Sequence, residues 1–141
     1  MADIDAYCAE AYQPDIQRRE ILDSGWVTSL AECEGRLIGF VQIRLHSPNA
    51  CIPDPGPAEI NRIYLMQPWQ GKGVADQLLE HSLQALMAGG TRWVWLGVWE
   101  RNPRAIAFYR KHLFSEMGEQ NFQLGSDIQR DLVMARNLET G

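Results

Sequence analysis

Cysteine and histidine are scarce, three of each in 141 residues. Cys8, Cys33 and Cys51 are odd in number and form no C-x-x-C pair. His46, His81 and His112 show no H-E-x-x-H spacing. Neither a disulfide framework nor a metal site is indicated, and a reducing, cytoplasmic setting fits best. No apolar run approaches the roughly 18 residues needed to span a bilayer. The N-terminus carries Asp3, Asp5 and Glu10 rather than a basic segment ahead of an apolar one, so no secretory leader is expected. Basic residues are outnumbered 13 to 18, giving a net charge of −5. That balance argues against nucleic acid and favours a cationic or neutral partner. Internal repeats, low-complexity tails and interdomain linkers are also missing, and the length suits one domain, residues 1–141.

Hydrophobic residues make up 45% of the chain, enough for a buried core. Ile4, Tyr7, Cys8 and Ala11 fall at helical spacing, so residues 3–22 read as helix, interrupted at Pro14. Residues 26–33 and 37–45 read as a β-hairpin around Glu34-Gly35, and residues 46–57, with four prolines, as a loop. AEINRIYL, residues 58–65, reads as a strand whose alternation slips between Ile60 and Ile63, as at a β-bulge. Ala75, Leu78, Leu79, Ser82, Leu83 and Leu86 mark a helix packed on a sheet and closed by Gly89-Gly90. WVWLGVW, residues 93–99, suits a strand covered on both faces, with Trp93, Trp95 and Trp99 in the core. Asn102-Pro103 opens a helix to about His112, and EMGEQNFQLG with RDLVMARNL reads as a closing hairpin.

The turn Gln70-Gly71-Lys72-Gly73 between strand and helix raises the question of an anion site. A Walker loop fails, because Met66 stands at its first glycine and Gly73 follows Lys72. A dinucleotide fingerprint fails at Asp76, whose charge is wrong beside a pyrophosphate. What remains is Gln70-x-x-Gly73-x-Ala75. It is open to two readings: a cradle of free amides at a helix N-terminus, or a plain turn needing unusual dihedrals.

With GVWERNPRAIAFYRKHLF downstream, this stretch resembles the GNAT family of N-acetyltransferases, over roughly residues 26–138. The family's signature is R/Q-x-x-G-x-G/A after its fourth strand, followed by a fifth strand, an Asn and an A-x-x-F-Y helix. The resemblance implies a central mixed, mostly antiparallel α/β (α+β) sheet, splayed between strands four and five and flanked by helices. It implies acetyl-CoA as co-substrate, without a metal. Its pyrophosphate would lie on Gln70, Gly71, Lys72, Gly73, Val74 and Ala75. Its pantetheine arm would lie along the backbone of Ile63, Tyr64 and Leu65, with Asn102 touching the arm.

Acetyl transfer requires deprotonation of an amine, stabilisation of an oxyanion and neutralisation of the CoA thiolate. Tyr109 stands at the family's acid position, where a phenol of pKa about 10 would protonate a thiolate; the bland alternative is a core stripe with Ala105 and Phe108. Glu59 and Glu100 are candidate bases, or else solvated edge carboxylates. The three histidines match no role and are expected at the surface.

Two departures from the family stand out. Leu113 occupies the place of a glycine before phenylalanine, so the sixth strand is expected to enter differently. The domain also looks N-terminally short: members usually carry a further strand and helix ahead of the region matching IDAYCAEAY. The first strand is therefore expected to be missing or differently built, leaving WVTSLAE as a sheet edge. A homodimer, or an N-terminal segment folded over this edge, would follow. The C-terminal half looks like a branch that includes a polyamine acetyltransferase, and Asp54, Glu59 and Glu100 could attract a polycation. A small-amine or protein N-terminal acetyltransferase, and a CoA-binding module without catalysis, remain as alternatives. No membrane partner is expected.

Overall fold

The computed structural model describes residues 15–20 and 25–139. The chain divides into two compact units, residues 1–44 with 60–89 and residues 45–59 with 90–141.

In the first unit, β1 (Asp15–Glu20), β2 (Trp26–Cys33) and β3 (Arg36–Arg44) are successive antiparallel neighbours, and β4 (Ala58–Leu65) follows β3 in the strand order. The β2–β3 turn needs left-handed backbone at both central residues. Glu34 has φ 49° and Gly35 φ 79°, the signs of a type I′ hairpin. Residues 15–20 form a strand, where the spacing predicted helix. Helix propensity is a weak prior, and the open backbone groups of β2 outweigh it. β1 thus covers WVTSLAE, pairing Ile16 with Ala31 and Arg18 with Ser29: β2 is not a bare edge, and the second of the two alternatives above, an N-terminal segment folded over it, is the one found. The premise for a dimer through that edge is gone. The rest of the predicted helix, residues 3–14 and 21–22, lies outside the described residues.

A 3₁₀ turn, Gln67–Trp69, leads from β4 to the glycines, and α1 (Val74–Ala88) follows. Its buried positions, Val74, Leu78, Leu79, Ser82, Leu83 and Leu86, repeat at three and four, and the helix packs on β1, β2 and β3. Ala75 of the predicted stripe is half-buried, and the buried Val74 takes the first position on that face. Leu78, Leu79 and Leu83 are fully buried, each worth roughly 1.5–3 kcal/mol. Truncating one to alanine would cost about 2–5 kcal/mol.

In the second unit β5 (Trp93–Trp99) pairs in parallel with the start of β4, Ala58 to Val94 and Glu59 to Trp95. On its other side β5 pairs antiparallel with β7 (Asp127–Asn137), which pairs with β6 (Ser115–Leu124). Ile52 from the loop packs with Trp95, Val133 and Ala135, with Cys51, Trp93 and Met117 against them. Gly118 sits at a bulge in β6, where a Cβ would come within 2.5 Å of Cys51 Sγ. Trp99 departs from expectation: at 44% exposure it lies outside the core. His112 departs the other way, being buried against Phe108, while its carbonyl accepts from Arg136 Nη1 at 3.2 Å.

Between β5 and β6 lies α2 (Pro103–Lys111). Asn102 caps it, its side-chain oxygen accepting from the Ala105 N–H at 3.2 Å, with proline in the first turn and Arg110 and Lys111 in the last. The helix ends in a Schellman motif: Phe114 N–H donates to Tyr109 C=O and Leu113 N–H to Arg110 C=O, both at 3.0 Å. The hydrophobic contact that accompanies such a motif is present between the Phe114 and Tyr109 rings, 5.7 Å apart. Leu113, at the position where the family carries glycine, has φ 69° and is 65% exposed. Strand six enters directly afterwards despite this departure, at the expense of a left-handed leucine. Such a residue costs about 1–2 kcal/mol, of which the lower chain entropy of leucine in the unfolded state recovers part. Leu113→Gly should therefore raise stability by roughly 0.5–1 kcal/mol, measured by urea denaturation at neutral pH. A loss of stability would mean that Leu113 makes contacts worth more than its strain.

Candidate active site

The first unit brings together the end of β4 and the start of α1. Burial along β4 alternates through Ala58 and Ile60, then breaks at the exposed pair Asn61-Arg62 and resumes at half-buried Ile63 and Leu65. That slip of one position is what an inserted residue produces. Gly39 lets β3 approach this segment closely, since a Cβ there would sit 2.7 Å from Tyr64 O and 2.9 Å from Leu65 Cδ1. The Tyr64 ring, half exposed, leans on Phe40 at 5.7 Å.

The turn that follows is tied to the strand by Gln70, whose Nε2 donates to Leu65 O at 3.0 Å. Gly71 and Gly73 have φ 78° and 82°, backbone that L side chains rarely adopt. Gly73 is the N-cap of α1 and supplies no side-chain acceptor for the first-turn amides. A serine or aspartate there would have consumed one of those donors, whereas glycine leaves them for an external anion. Gln70, Gly71 and Lys72 are exposed, Val74 is buried, and Ala75 is half-buried.

The second unit holds the candidate carboxylates, Asn102 and Tyr109. Glu59 is half-buried on β4, and its Oε1 accepts from Ser47 Oγ at 2.7 Å. Glu100, just beyond β5, accepts through Oε2 from Arg130 Nη1 at 3.1 Å, and Arg130 also pairs with Glu119. The hydrogen bond to Glu119, ahead of the charge of Glu100, raises the affinity of Arg130 for its proton. The two glutamates thus differ: Glu100 faces a guanidinium, while Glu59 is held by a neutral hydroxyl. Asp54 is committed elsewhere, with Arg92 Nε 3.1 Å from Oδ2 and the Gly56 N–H donating to Oδ1 at 2.8 Å.

Tyr109 is buried, its ring edge-on to Phe108 and Phe114. Burial disfavours the phenolate and pushes its pKa up to about 12. It is therefore a weaker acid than the free phenol assumed from sequence. Sequence reasoning did not find Ser47 or Arg130. Ser47 lies in a proline-rich loop without a motif, and Arg130 meets Glu100 and Glu119 only through pairing across three strands.

Comparison with known proteins finds relatives over most of the chain. Residues 3–114 match the family model described as Acetyltransferase (GNAT) family. An uncharacterized N-acetyltransferase of Lactobacillus delbrueckii subsp. lactis is 30% identical over 119 residues, covering 84% of this chain and 69% of that protein. Among solved structures, the spermidine/spermine N-acetyltransferase of Vibrio cholerae superposes with a TM-score of 0.66 at 24% identity, covering 84% of this chain and 69% of that one. The ribosomal-protein-S18-alanine N-acetyltransferase of Escherichia coli gives 0.66 at 20% identity, covering 82% and 70%. These two likenesses are of fold. The chain spans about two thirds of the length of the relatives it matches.

The Tyr109 phenol has a consequence for alkaline stability. The folded group, at about 12, keeps its proton over the range where an unfolded tyrosine, near 10, loses it. Its contribution is complete below pH 10 and is lost as pH rises through 12. Between those limits the wild type should lose about 1.4 kcal/mol per pH unit more than Tyr109→Phe. Urea denaturation of both proteins from pH 9 upward measures this, and parallel curves would contradict it.

Proposed function

Because this chain belongs to the GNAT family of acetyltransferases, we propose that it moves an acetyl group from acetyl-CoA to a primary amine by direct attack in a ternary complex, working as a single catalytic domain. The observation that carries the reading is the N-terminus of α1, which follows two left-handed glycines and has no side-chain cap. Amides and helix dipole together suit a pyrophosphate, held by residues 70–75. Ile63, Tyr64 and Leu65 offer backbone groups to the pantetheine arm, and Asn102 contacts the arm after capping α2. Acetyl-CoA is a co-substrate that supplies the activated acyl group; no metal is invoked.

Glu59 takes the proton of the ammonium, and Glu100 is the weaker candidate because Arg130 already holds it. Tyr109 donates to the departing sulfur. At a pKa of about 12 it would transfer its proton poorly to a thiolate in water. A thiolate in equally apolar surroundings is itself more basic, which narrows the gap. The amine then attacks the thioester carbon, the C–S bond breaks and the sulfur leaves as thiol, while the second proton shed by the acylated nitrogen restores the Tyr109 phenol.

For the acceptor we favour a polyamine. The likeness to the Vibrio cholerae enzyme supports it, as do the net charge of −5 and the carboxylate of Glu59, whereas Glu100 is already paired with Arg130. Asp54 gives no support, being bound to Arg92. The likeness to the S18-alanine enzyme favours a protein N-terminus as the second reading.

Thiol release from acetyl-CoA should be followed with spermidine, a simple aromatic monoamine and an alanine-initiated peptide. Release is expected with spermidine foremost, and no release with any of the three would leave a CoA-binding module. Tyr109→Phe should lower kcat by about 10²–10⁴ while changing acetyl-CoA affinity little; unchanged activity would return Tyr109 to a purely structural role. Acetyl-CoA should raise the Tm of the wild type and of Gly73→Asn more than that of Gly73→Asp. Both side chains tolerate left-handed backbone, so the difference isolates the charge beside the pyrophosphate. Equal shifts in the two variants would refute the assignment of the loop.

A further inference from the structure

Ser47 is 8% exposed and makes three hydrogen bonds to three separate places. Its N–H donates to Pro57 C=O at 2.8 Å, closing the neck of the loop 46–57. Its C=O accepts from the Trp95 indole Nε1–H on β5 at 2.7 Å. Its Oγ donates to Glu59 Oε1 on β4 at 2.7 Å. The hydroxyl's single proton is committed to the Glu59 carboxylate, a bond that crosses the neck of the loop beside the main-chain bond to Pro57. The residue before it, His46, has φ 53°, a left-handed conformation costing about 1–2 kcal/mol in a non-glycine residue. The chain accepts that cost at the step that presents Ser47.

We infer that Ser47 is a positioning residue for the acetyl transfer. Its hydroxyl holds Glu59 by Oε1 in one orientation, leaving Oε2 to accept the proton of the acceptor ammonium. This rests on the reading of Glu59 as the base. A neutral donor suits the task. It fixes the direction of the carboxylate without cancelling its charge, as Arg130 does in part for Glu100. Among the described residues Oε2 has no protein donor. In the step itself the ammonium N–H bond breaks and an O–H bond forms at Oε2. The freed nitrogen pair attacks the thioester carbon, and the bound proton passes to solvent after the thiol leaves. A carboxylate free to rotate would spend part of its time with neither oxygen in line, which lowers kcat more than binding.

The test uses the full chain with acetyl-CoA and spermidine, comparing wild type, Ser47→Ala, Ser47→Thr, Glu59→Gln and the Ser47→Ala/Glu59→Gln pair. Ser47→Ala should melt cooperatively near the wild-type Tm and lower kcat roughly 10- to 100-fold, with the KM for acetyl-CoA within about twofold. Ser47→Thr, which keeps the hydroxyl, should restore most of the rate. In the Glu59→Gln background Ser47→Ala should have no further effect on kcat, because the residue acts through Glu59. Wild-type kcat in Ser47→Ala, independent losses in the double variant, or no rescue by threonine would each overturn the inference while leaving Glu59 as the base. Wild-type kcat in Glu59→Gln would overturn that underlying reading, and the inference with it.

Discussion

The parallel step between β4 and β5 is two residue pairs long, Ala58 with Val94 and Glu59 with Trp95, and much else follows from it. Parallel neighbours cannot be joined by a hairpin, so the chain must leave β4 and return through a crossover. Here that crossover holds the glycine turn and α1, and the free amides of the helix arise where the connection begins. Within the second unit this pairing ties the start of β4 to β5. Beyond that point β4 carries its burial slip, and Ile63, Tyr64 and Leu65 lie in the altered phase.

The candidate polar groups differ in what each has been given as a partner. Two glutamates close in sequence to the ends of β4 and β5 carry the same formal charge, yet one meets a hydroxyl and the other a guanidinium. Tyr109 meets neither kind of charge. Aromatic rings surround it, and their low polarity holds the proton on the phenol. The same Schellman ending that turns the chain into β6 presses Phe114 onto Tyr109. Helix termination and the environment of the phenol are therefore one arrangement.

Much of this was legible in the sequence. The bounds of β2, β4 and β5 follow from alternation and punctuation, and α1 from its leucines and the closing glycines. The loop glycines and Asn102 announce themselves because each residue type has a special backbone use. Residues 15–20 misled because the helical spacing of Ile4, Tyr7, Cys8 and Ala11 was extended past Pro14, and no local signal states that β2 has an edge waiting for a strand. Trp99 and His112 exchanged their expected environments because residue type predicts average burial, while position at a strand end or a helix cap decides the individual case. Ser47 was illegible for a deeper reason. Of its three partners, Glu59 and Trp95 lie 12 and 48 residues away, brought to it by the fold.

The bulge at Glu116 and Gly118 bears on how the protein behaves in concentrated solution. β6 stands last in the strand order, with one side of its backbone facing no further strand of the sheet among the described residues. A straight edge of this length would template the addition of another chain. Here the register shifts near its start, and two carboxylates on the strand are engaged with side chains of the same molecule, Glu116 with Arg110 and Glu119 with Arg130. An incoming strand would have to match an irregular ladder and compete with those ion pairs. The irregularity beside Cys51 thereby makes this edge a poorer template for another chain than a regular one of the same length.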